Sequence, residues 1–409
     1  MSKQRTSLWR NRDYLFLVSG QAISSMGTEV SDLAYILLVL ALTGSPAQVG
    51  FVGALEAAPV LILSMPAGAL IDCWDRRRVM IICDMARVLI LASLPVAFVL
   101  GHLTLVQIYI TALLEPTFGV FFDLAERACL PQMVPREQLP AVSSQNQAIG
   151  YTAALLGPTL SGALYSAGRL FPFLVDAISY LVSVISLFFI KTPFQEERLS
   201  APQKLRIEIR EGFLWLWHHP LLRFMTFLVG SLNLTVAGFY LVMVVLAQNL
   251  HASSFTIGLI FGIGSIGGIA GALFGPFIQK HLSYGQAIIG ICWLTALIWP
   301  LLAIAPNLVV LTLFFMLYLI WGRIMNVVNF SYRMTVTPDE MRGRSSGIGS
   351  LLVRGSLPIG IALTGILIQN LGVVTTVFII SGCRVLIALA ATLNSQVRNA
   401  PPAIKTQLE

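Results

Sequence analysis

Long apolar runs separated by short polar breaks dominate the chain. Twelve of them are each long enough to cross the hydrocarbon core of a bilayer as a helix, which needs about 20 residues. The runs are continuous and do not alternate between polar and apolar positions, so they indicate helices and not the strands of a membrane barrel. The predicted helices are 14–42, 48–71, 79–100, 105–130, 141–166, 170–190, 220–248, 255–279, 284–305, 308–331, 345–370 and 372–394.

The composition also indicates a membrane protein. Of the 409 residues, 56% are hydrophobic and only 11% are charged, whereas about a quarter of the residues of a soluble protein are charged. The net charge of +7 fits lysines and arginines on the cytoplasmic side of a membrane, so we expect no nucleic-acid partner. The five cysteines show no metal-binding spacing, and we expect no metal site.

The distribution of basic residues predicts the orientation of the chain. The predicted outer connections contain a single basic residue, Arg169, and the inner connections and tails hold most of the others. This is the positive-inside pattern. It predicts a multi-pass protein of the cell inner (cytoplasmic) membrane with both termini in the cytoplasm.

A polar stretch between the sixth and seventh helices predicts two halves. We expect an N-terminal six-helix bundle at 1–190, a cytoplasmic linker at 191–219, a C-terminal six-helix bundle at 220–394 and a cytoplasmic tail at 395–409. Corresponding features recur in both halves, such as Pro158 in helix 5 and Pro358 in helix 11. The predicted fold class is an all-α integral membrane protein of twelve helices in two pseudo-repeated bundles, as in many secondary transporters.

Charged residues inside the predicted helices are candidate functional residues, because a charge at the bilayer centre costs at least about 2.5–3.5 kcal/mol. The first half carries acids: Glu29 and Asp32 are three residues apart on helix 1, and Glu115 and Asp123 lie on helix 4. The second half has acids only at 339, 340 and 409, outside its helix cores. An intramembrane charge pair is predicted between Asp84 and Arg87 on helix 3, and candidate counter-charges in the second half are Arg323, Arg354 and Arg384.

Several short segments resemble known transporters. Residues 68–78, GALIDCWDRRR, resemble the loop signature of the major facilitator superfamily, except that Cys73 replaces a basic residue. Residues 157–162, GPTLSG, are similar to the glycine–proline motif of drug–proton antiporters, with Ser161 in place of a glycine. Residues 84–87 (DMAR) and 171–176 (FPFLVD) resemble the exporter group that includes macrolide-efflux and enterobactin-exporter proteins.

The resemblance assigns roles to these residues. It implies that helices 1, 4, 7 and 10 line a central cavity, which makes the four acids of helices 1 and 4 candidates for proton coupling. Small residues allow close helix contacts and a proline permits a bend, so Gly157, Pro158 and Gly162 suit a tight, sliding contact of helix 5. The loop residues either latch the two halves in one state or anchor the topology; they are Gly68, Asp72, Arg76 and Arg77.

The predicted function is secondary active transport: proton-coupled efflux, by alternating access, of a small amphipathic organic compound such as a macrolide or several drugs. Alternatives are export of an endogenous siderophore or other metabolite, import, and a nontransporting membrane receptor or scaffold. A phosphate-binding loop is absent from the sequence, and no catalytic set of residues stands out, so neither a primary pump nor an enzyme is predicted. We expect a monomer in the lipid bilayer that uses the proton gradient and needs no cofactor.

Overall fold

The computed structural model describes residues 8–192, 194, 214, 217–336 and 339–399. The elements in these ranges are all helices, together with two short 3-10 turns at Leu8–Arg10 and Arg136–Gln138. The helices are α1 (Arg12–Thr43), α2 (Pro46–Ile71), α3 (Arg76–Val99), α4 (Leu105–Met133), α5 (Leu139–Ala167), α6 (Phe171–Phe189), α7 (Pro220–Val236), α8 (Phe239–Asn249), α9 (Ser254–His281), α10 (Tyr284–Ala303), α11 (Leu308–Val336), α12 (Asp339–Leu371), α13 (Val373–Leu393) and α14 (Ser395–Arg398).

The predicted all-helical membrane architecture is confirmed. Within the described residues, ten helical segments are long and apolar enough to span a bilayer, with α7 and α8 counted as one segment. The two other predicted spans correspond to α5, with 29 residues, and α12, with 33 residues. Both are long enough to cross, and polar and small residues lower the mean hydropathy of α5. The count of twelve crossings therefore remains a prediction for these two helices.

Polar side chains and glycines fix the ends of the helices in the first half. The Asn11 side chain accepts a hydrogen bond from the backbone N–H of Tyr14 and starts α1, and Asp75 and Thr104 cap α3 and α4 in the same way. Such caps satisfy the backbone donors that a helix start leaves free. Gly44 ends α1 with a φ of 63°, a left-handed conformation that glycine adopts without strain. The apolar pattern alone starts α1 and α3 two and three residues too late, and it places the start of α4 correctly.

The chain forms two compact units. Unit 1 comprises residues 1–44, 55–199 and 253–262. In it, α1 packs against α5 and α6, and α3 packs against α4 and α6. Close approach of α1 and α6 depends on glycine, because a Cβ added at Gly27 would lie 2.2 Å from the hydroxyl oxygen of Ser179. One apolar core cluster of unit 1 centres on Tyr14, Met80, Phe122 and Leu187.

Unit 2 comprises residues 45–54, 200–252 and 263–409. In it, α7 packs against α12 and α13, and α10 packs against α11 and α13. The first residues of the predicted tail form α14, which packs against α10 and α13 and buries Val397 completely. Most of the predicted linker 191–219 and residues 400–409 lie outside the described residues. Two short segments belong to the unit formed mainly by the other half of the sequence: residues 45–54 to unit 2 and residues 253–262 to unit 1. The predicted domain boundaries remain a prediction.

The predicted seventh span, 220–248, agrees with one candidate membrane span at Pro220–Asn249, but it is not one continuous helix. It is interrupted between Val236 and Phe239, where α7 ends and α8 begins. Gly238 at this break lies so close to α12 that an added Cβ would be 2.3 Å from the Cβ of Thr364. Glycine weakens a helix interior. The apolar pattern of a single segment cannot predict the contact of Gly238 with α12.

Candidate functional site

Arg87 of α3 lies at the centre of a buried network in unit 1. Its Nε and Nη2 atoms donate to the same carboxylate oxygen of Glu115 on α4, at 2.8 and 2.5 Å. Its Nη1 atom lies 3.5 Å from a carboxylate oxygen of Asp84, one turn earlier on α3. The predicted pair of Asp84 and Arg87 is therefore present, but the shorter contacts of the arginine are with Glu115. Ionised hydrogen bonds of this kind are among the strongest in proteins.

Tyr180 of α6 completes this network. The guanidinium carbon of Arg87 lies 3.8 Å from the centroid of the tyrosine ring, a cation–π arrangement. The Tyr180 hydroxyl donates to Glu115 at 2.7 Å and accepts from Arg87. Thr28 of α1 lies 2.8 Å from the same hydroxyl. One arginine, one carboxylate and one phenol thus join α1, α3, α4 and α6.

Asp176, one turn before Tyr180 on α6, is a second buried acid of this region. It is fully buried, and its carboxylate accepts hydrogen bonds from Ser31 at 2.5 Å and from Ser179 at 3.1 Å. The sequence shows Asp176 as a charge inside a helix but gives no reason to place it beside α1. The serine at position 31 and the glycine at position 27 of α1 make that contact, and neither is distinctive in the sequence.

The predicted coupling acids lie in two environments. Asp32, near the middle of α1, is exposed, and Glu29 is half-buried. Asp32 interacts electrostatically with the carboxylates of Glu56, Glu29 and Glu115, so these side chains form one acidic group inside membrane-spanning helices. Glu56, an acid within the predicted helix 2, belongs to this group although it was not among the predicted coupling acids. Asp123 is exposed and lies eight residues beyond Glu115 on α4, about 12 Å along the helix axis.

The loop residues predicted as a latch make contacts inside unit 1. Arg76 donates to the carbonyl oxygen of Ala128 at 2.8 Å. Arg77 donates to the carbonyl oxygens of Leu187 and Phe188 at 3.0 and 3.1 Å, which lie in the last turn of α6, where backbone acceptors are otherwise free. These bonds fit the anchoring alternative for the two arginines. A Cβ added at Gly68 would meet nothing within 4 Å, and Asp72 is exposed. A latch between the halves remains a prediction.

The helix 5 motif makes close contacts on two sides of α5. On one side, a Cβ added at Gly157 would lie 2.5 Å from the Cβ of Glu29, so this glycine lets α5 approach α1 at one of the acids. On another side, a Cβ added at Gly162 would lie 2.4 Å from the carbonyl oxygen of Ser254 and 3.1 Å from the Cα of Gly258. The carbonyl oxygen of Pro158 would lie 2.4 Å from a Cβ at Gly258. All of these residues belong to unit 1.

A related contact occurs within unit 2. A Cβ added at Gly365 of α12 would lie 2.9 Å from the Cα of Gly50 in α2. In this contact α12 comes from the second half of the sequence and α2 from the first. In the contact of unit 1, α5 comes from the first half and α9 from the second. Each compact unit therefore contains one glycine–glycine contact between a proline-containing helix and a short segment from the other half of the sequence.

The predicted counter-charges of the second half differ in burial. Arg323 of α11 and Arg354 of α12 are exposed, whereas Arg384 of α13 is buried. Arg384 donates to the hydroxyl oxygen of Tyr318 at 2.9 Å. The exposed arginines are accessible from outside the unit, and Arg384 is part of the packed interior.

Comparisons with known proteins agree with this architecture. The family model described as transmembrane secretion effector matches residues 8–406. The chain belongs to this family. It is a member of the major facilitator superfamily, as the loop and helix 5 motifs suggest, and it is a membrane transporter and not an enzyme.

Relatives of this family member carry transporter names. The multidrug efflux pump Tap of Mycolicibacterium fortuitum is 24% identical over 96% of this chain and 98% of that protein. Macrolide efflux protein A of Streptococcus pyogenes is 23% identical over 95% of this chain and 97% of that protein.

Solved structures share the fold. A bacterial homologue of the iron transporter ferroportin in an inward-facing state has a TM-score of 0.76 at 15% identity and covers 95% of this chain and 99% of that one. The nucleoside transporter NupG has a TM-score of 0.74 at 16% identity, over 93% and 98%.

Proposed function

We propose that this secretion-effector family member is a proton-coupled exporter of small amphipathic organic compounds, among them antibiotics such as macrolides. The observation that carries the proposal is the group of carboxylates inside membrane-spanning helices of unit 1, in which Glu115 is held by Arg87 and Tyr180 and interacts with the exposed Asp32. The efflux names of the full-length relatives support the direction of transport and the class of substrate.

Proton binding at Glu115 changes the network in a defined way. A neutral carboxyl group is a poorer acceptor than a carboxylate, so its protonation weakens the two bonds from Arg87. The guanidinium then keeps Asp84, on its own helix, as its carboxylate partner. The tie between α3 and α4 is therefore strong when Glu115 is charged and weak when it carries a proton. A difference of this kind between two protonation states is what is needed to shift a population between two conformations.

Exchange of a proton for a substrate follows from the same acidic group. Asp32 is exposed, so a proton or an organic cation can reach its carboxylate. A bound proton and a bound cationic amine each relieve the repulsion among Asp32, Glu56 and Glu29, and the two compete for the same negative charge. Competition between them makes the transport an exchange, with a proton entering as the drug leaves. The proposal includes alternating access of the superfamily type in the inner membrane, by a monomer with cytoplasmic termini.

Drug accumulation in cells that express the chain tests this function. We expect the wild type to lower the accumulation of an amine-bearing macrolide, and a protonophore to abolish the difference from cells without the protein. Glu115→Gln and Asp32→Asn should each reduce export at least about tenfold. Glu137→Gln, at an exposed position in the turn before α5, is the matched control and should export normally. Equal accumulation in expressing and non-expressing cells, for macrolides and for other cationic drugs, would contradict the proposal.

A further inference from the structure

Arg384 of α13 is a buried cation in the middle of unit 2. It is only 2% exposed, and it is the twelfth residue of a helix of 21 residues. An arginine side chain does not lose its proton in a protein. The interior of unit 2 therefore contains a permanent positive charge, which is costly in a membrane protein unless a partner compensates for it.

The surroundings of Arg384 are aromatic. Its guanidinium carbon lies 4.4 Å from the ring centroid of Trp299 and 5.2 Å from that of Tyr318. Phe239 stacks on Tyr318 with the centroids 4.7 Å apart. The ring faces attract the cation, but they leave the N–H groups in the guanidinium plane without acceptors. The one hydrogen bond of this guanidinium among the described residues goes to the Tyr318 hydroxyl.

Two buried donors at this position have no acceptor. Within the described part of the chain, the Nε atom of Arg384 and the indole Nε1 atom of Trp299 are both buried and form no hydrogen bond. The hydroxyl of Tyr318 accepts from Arg384, so its own proton is still available to a further acceptor. Three N–H or O–H groups on side chains in mutual contact thus lack an acceptor among the described residues. Buried donors without partners are rare in folded proteins.

Unit 1 contains a comparable buried arginine, Arg87, for which the chain supplies carboxylate partners. Arg87 also stacks on an aromatic ring, that of Tyr180, and it forms ion pairs with Glu115 and Asp84. Arg384 forms no ion pair within the described residues. The stacking is common to both sites, and the carboxylate is found only in unit 1.

Among the described residues, the second half of the sequence offers no acid near Arg384. From residue 220 onwards the only acidic positions are 339, 340 and 409. Positions 339 and 340 are the first two residues of α12, which is 33 residues long and is joined to α13 by Gly372 alone. Since α12 and α13 pack together, the start of α12 lies about 30 Å along the axis from Arg384.

We propose that Arg384 is the centre of an anion-binding site in unit 2, in which a small monovalent anion such as chloride accepts from Arg384, Trp299 and Tyr318. A bound anion neutralises the buried guanidinium and satisfies the donors that the chain leaves unpaired. Its effect is on the stability of unit 2 and is independent of proton coupling in unit 1. A halide and the carboxylate group of an organic molecule share the required chemistry, and separate titrations distinguish them.

Thermal unfolding of the purified full-length protein in detergent tests this site. Sodium chloride or sodium acetate replaces sodium gluconate at constant ionic strength, so that only the anion changes. We expect the melting temperature to rise with the logarithm of the anion concentration, by about 3–5 °C when the anion reaches a hundred times its dissociation constant. A response to chloride alone assigns a halide site, and an equal response to acetate assigns a site that also accepts a carboxylate. An unchanged melting temperature with both anions would overturn the proposal.

Variants connect the response to these side chains. Arg384→Gln should abolish the rise, and Trp299→Phe, which keeps the ring but removes the N–H, should weaken the apparent affinity at least about fivefold. Trp299→Phe also keeps the proposal testable if Arg384→Gln fails to fold. Arg78→Gln removes an exposed arginine of the α2–α3 region and should leave the response unchanged. An unchanged response in Trp299→Phe and in a folded Arg384→Gln variant would place the bound anion elsewhere and refute the assignment.

Discussion

At the scale of single residues, three donor groups converge on one oxygen atom of Glu115. They are Nε and Nη2 of Arg87 and the hydroxyl of Tyr180. The convergence places the negative charge of Glu115 and the positive charge of Arg87 in a fixed geometry that does not depend on flexible surface side chains. The pair is nearly buried, with 9% of the arginine side chain and 13% of the glutamate side chain exposed, so bulk water screens it little.

A double-mutant cycle tests how strongly this pair depends on both partners. Arg87→Met leaves Glu115 and Asp84 without their common cation, and we expect it to lower the free energy of unfolding by about 3–5 kcal/mol. Addition of Glu115→Met should restore part of that loss, because one of the stranded carboxylates is then removed. Denaturant unfolding in micelles measures Arg87→Met, Glu115→Met and the double variant. Simple additivity of the two losses would show that the pair does not interact energetically.

Tyr180→Phe separates the hydroxyl from the ring. The phenylalanine keeps the face on which Arg87 stacks but loses the bonds to Glu115 and Thr28. We expect a destabilisation of about 1–3 kcal/mol and a drop in drug export of about tenfold. Tyr165→Phe is the control, since the buried hydroxyl of Tyr165 forms no hydrogen bond within the described residues. Export assays that find the two variants alike would remove Tyr180 from the coupling network.

The sequence predicted part of this site. The spacing of Asp84 and Arg87 indicates a pair on one helix face, and acids within apolar runs are visible without a structure. The main partner of Arg87 is on α4, however, and depends on how α3 and α4 pack. Tyr180 gave no signal, because a tyrosine in an apolar run looks like any packing aromatic. Glu56 joins the acids through the position of α2, which the pattern within one helix does not determine.

At the scale of elements, the contacts of α5 depend on the absence of side chains at two glycines. Gly157 lies against Glu29, and Gly162 lies against Ser254 and Gly258. The same helix thus connects an acid of α1 with the first turns of α9, all within unit 1. Movement of α5 against either neighbour changes the other contact, which gives the helix 5 motif a direct physical connection to the acidic group.

Gly162→Ala tests the close contact of α5. Its Cβ would lie 2.4 Å from a backbone carbonyl oxygen of Ser254, so the helices have to separate, and we expect drug export to fall at least about tenfold. Gly150→Ala on the same helix is the matched control, because its Cβ would meet nothing within 4 Å. The alanine at 150 should raise stability slightly through its higher helix propensity. Normal export by Gly162→Ala at equal expression would contradict a role for the close contact.

Apolar runs predicted where the long helices lie, but not the break between α7 and α8 or the short helix α14. Gly238 at the break lies against Thr364, which is more than a hundred residues away in the sequence, and periodicity within one segment contains no information on this contact. α14 is too short to produce an apolar pattern, and its burial rests on Val397 alone. Capping by Asn11 and Asp75 accounts for the two or three residues by which α1 and α3 start earlier than predicted.

At the scale of the whole molecule, the two units differ in the chemistry of their interiors. Unit 1 contains carboxylates around one arginine, and unit 2 contains an arginine among aromatic rings. The sequence predicted this asymmetry, because the positions of acidic residues need no structure to be read. The carboxylates inside the helices are concentrated in unit 1, and the buried charge of unit 2 is a guanidinium. This division is why the central claim can be tested by changes confined to unit 1.

Proton movement during drug transport is the most direct test of that claim. Purified protein is reconstituted into liposomes, and a pH-sensitive dye reports protons while the flux of a labelled macrolide is followed. We expect the wild type to move protons in proportion to drug. The variant with Glu29, Asp32, Glu115 and Asp123 all neutralised should lose drug accumulation driven by a pH gradient. Drug accumulation that still follows the pH gradient in this fourfold variant would contradict the account.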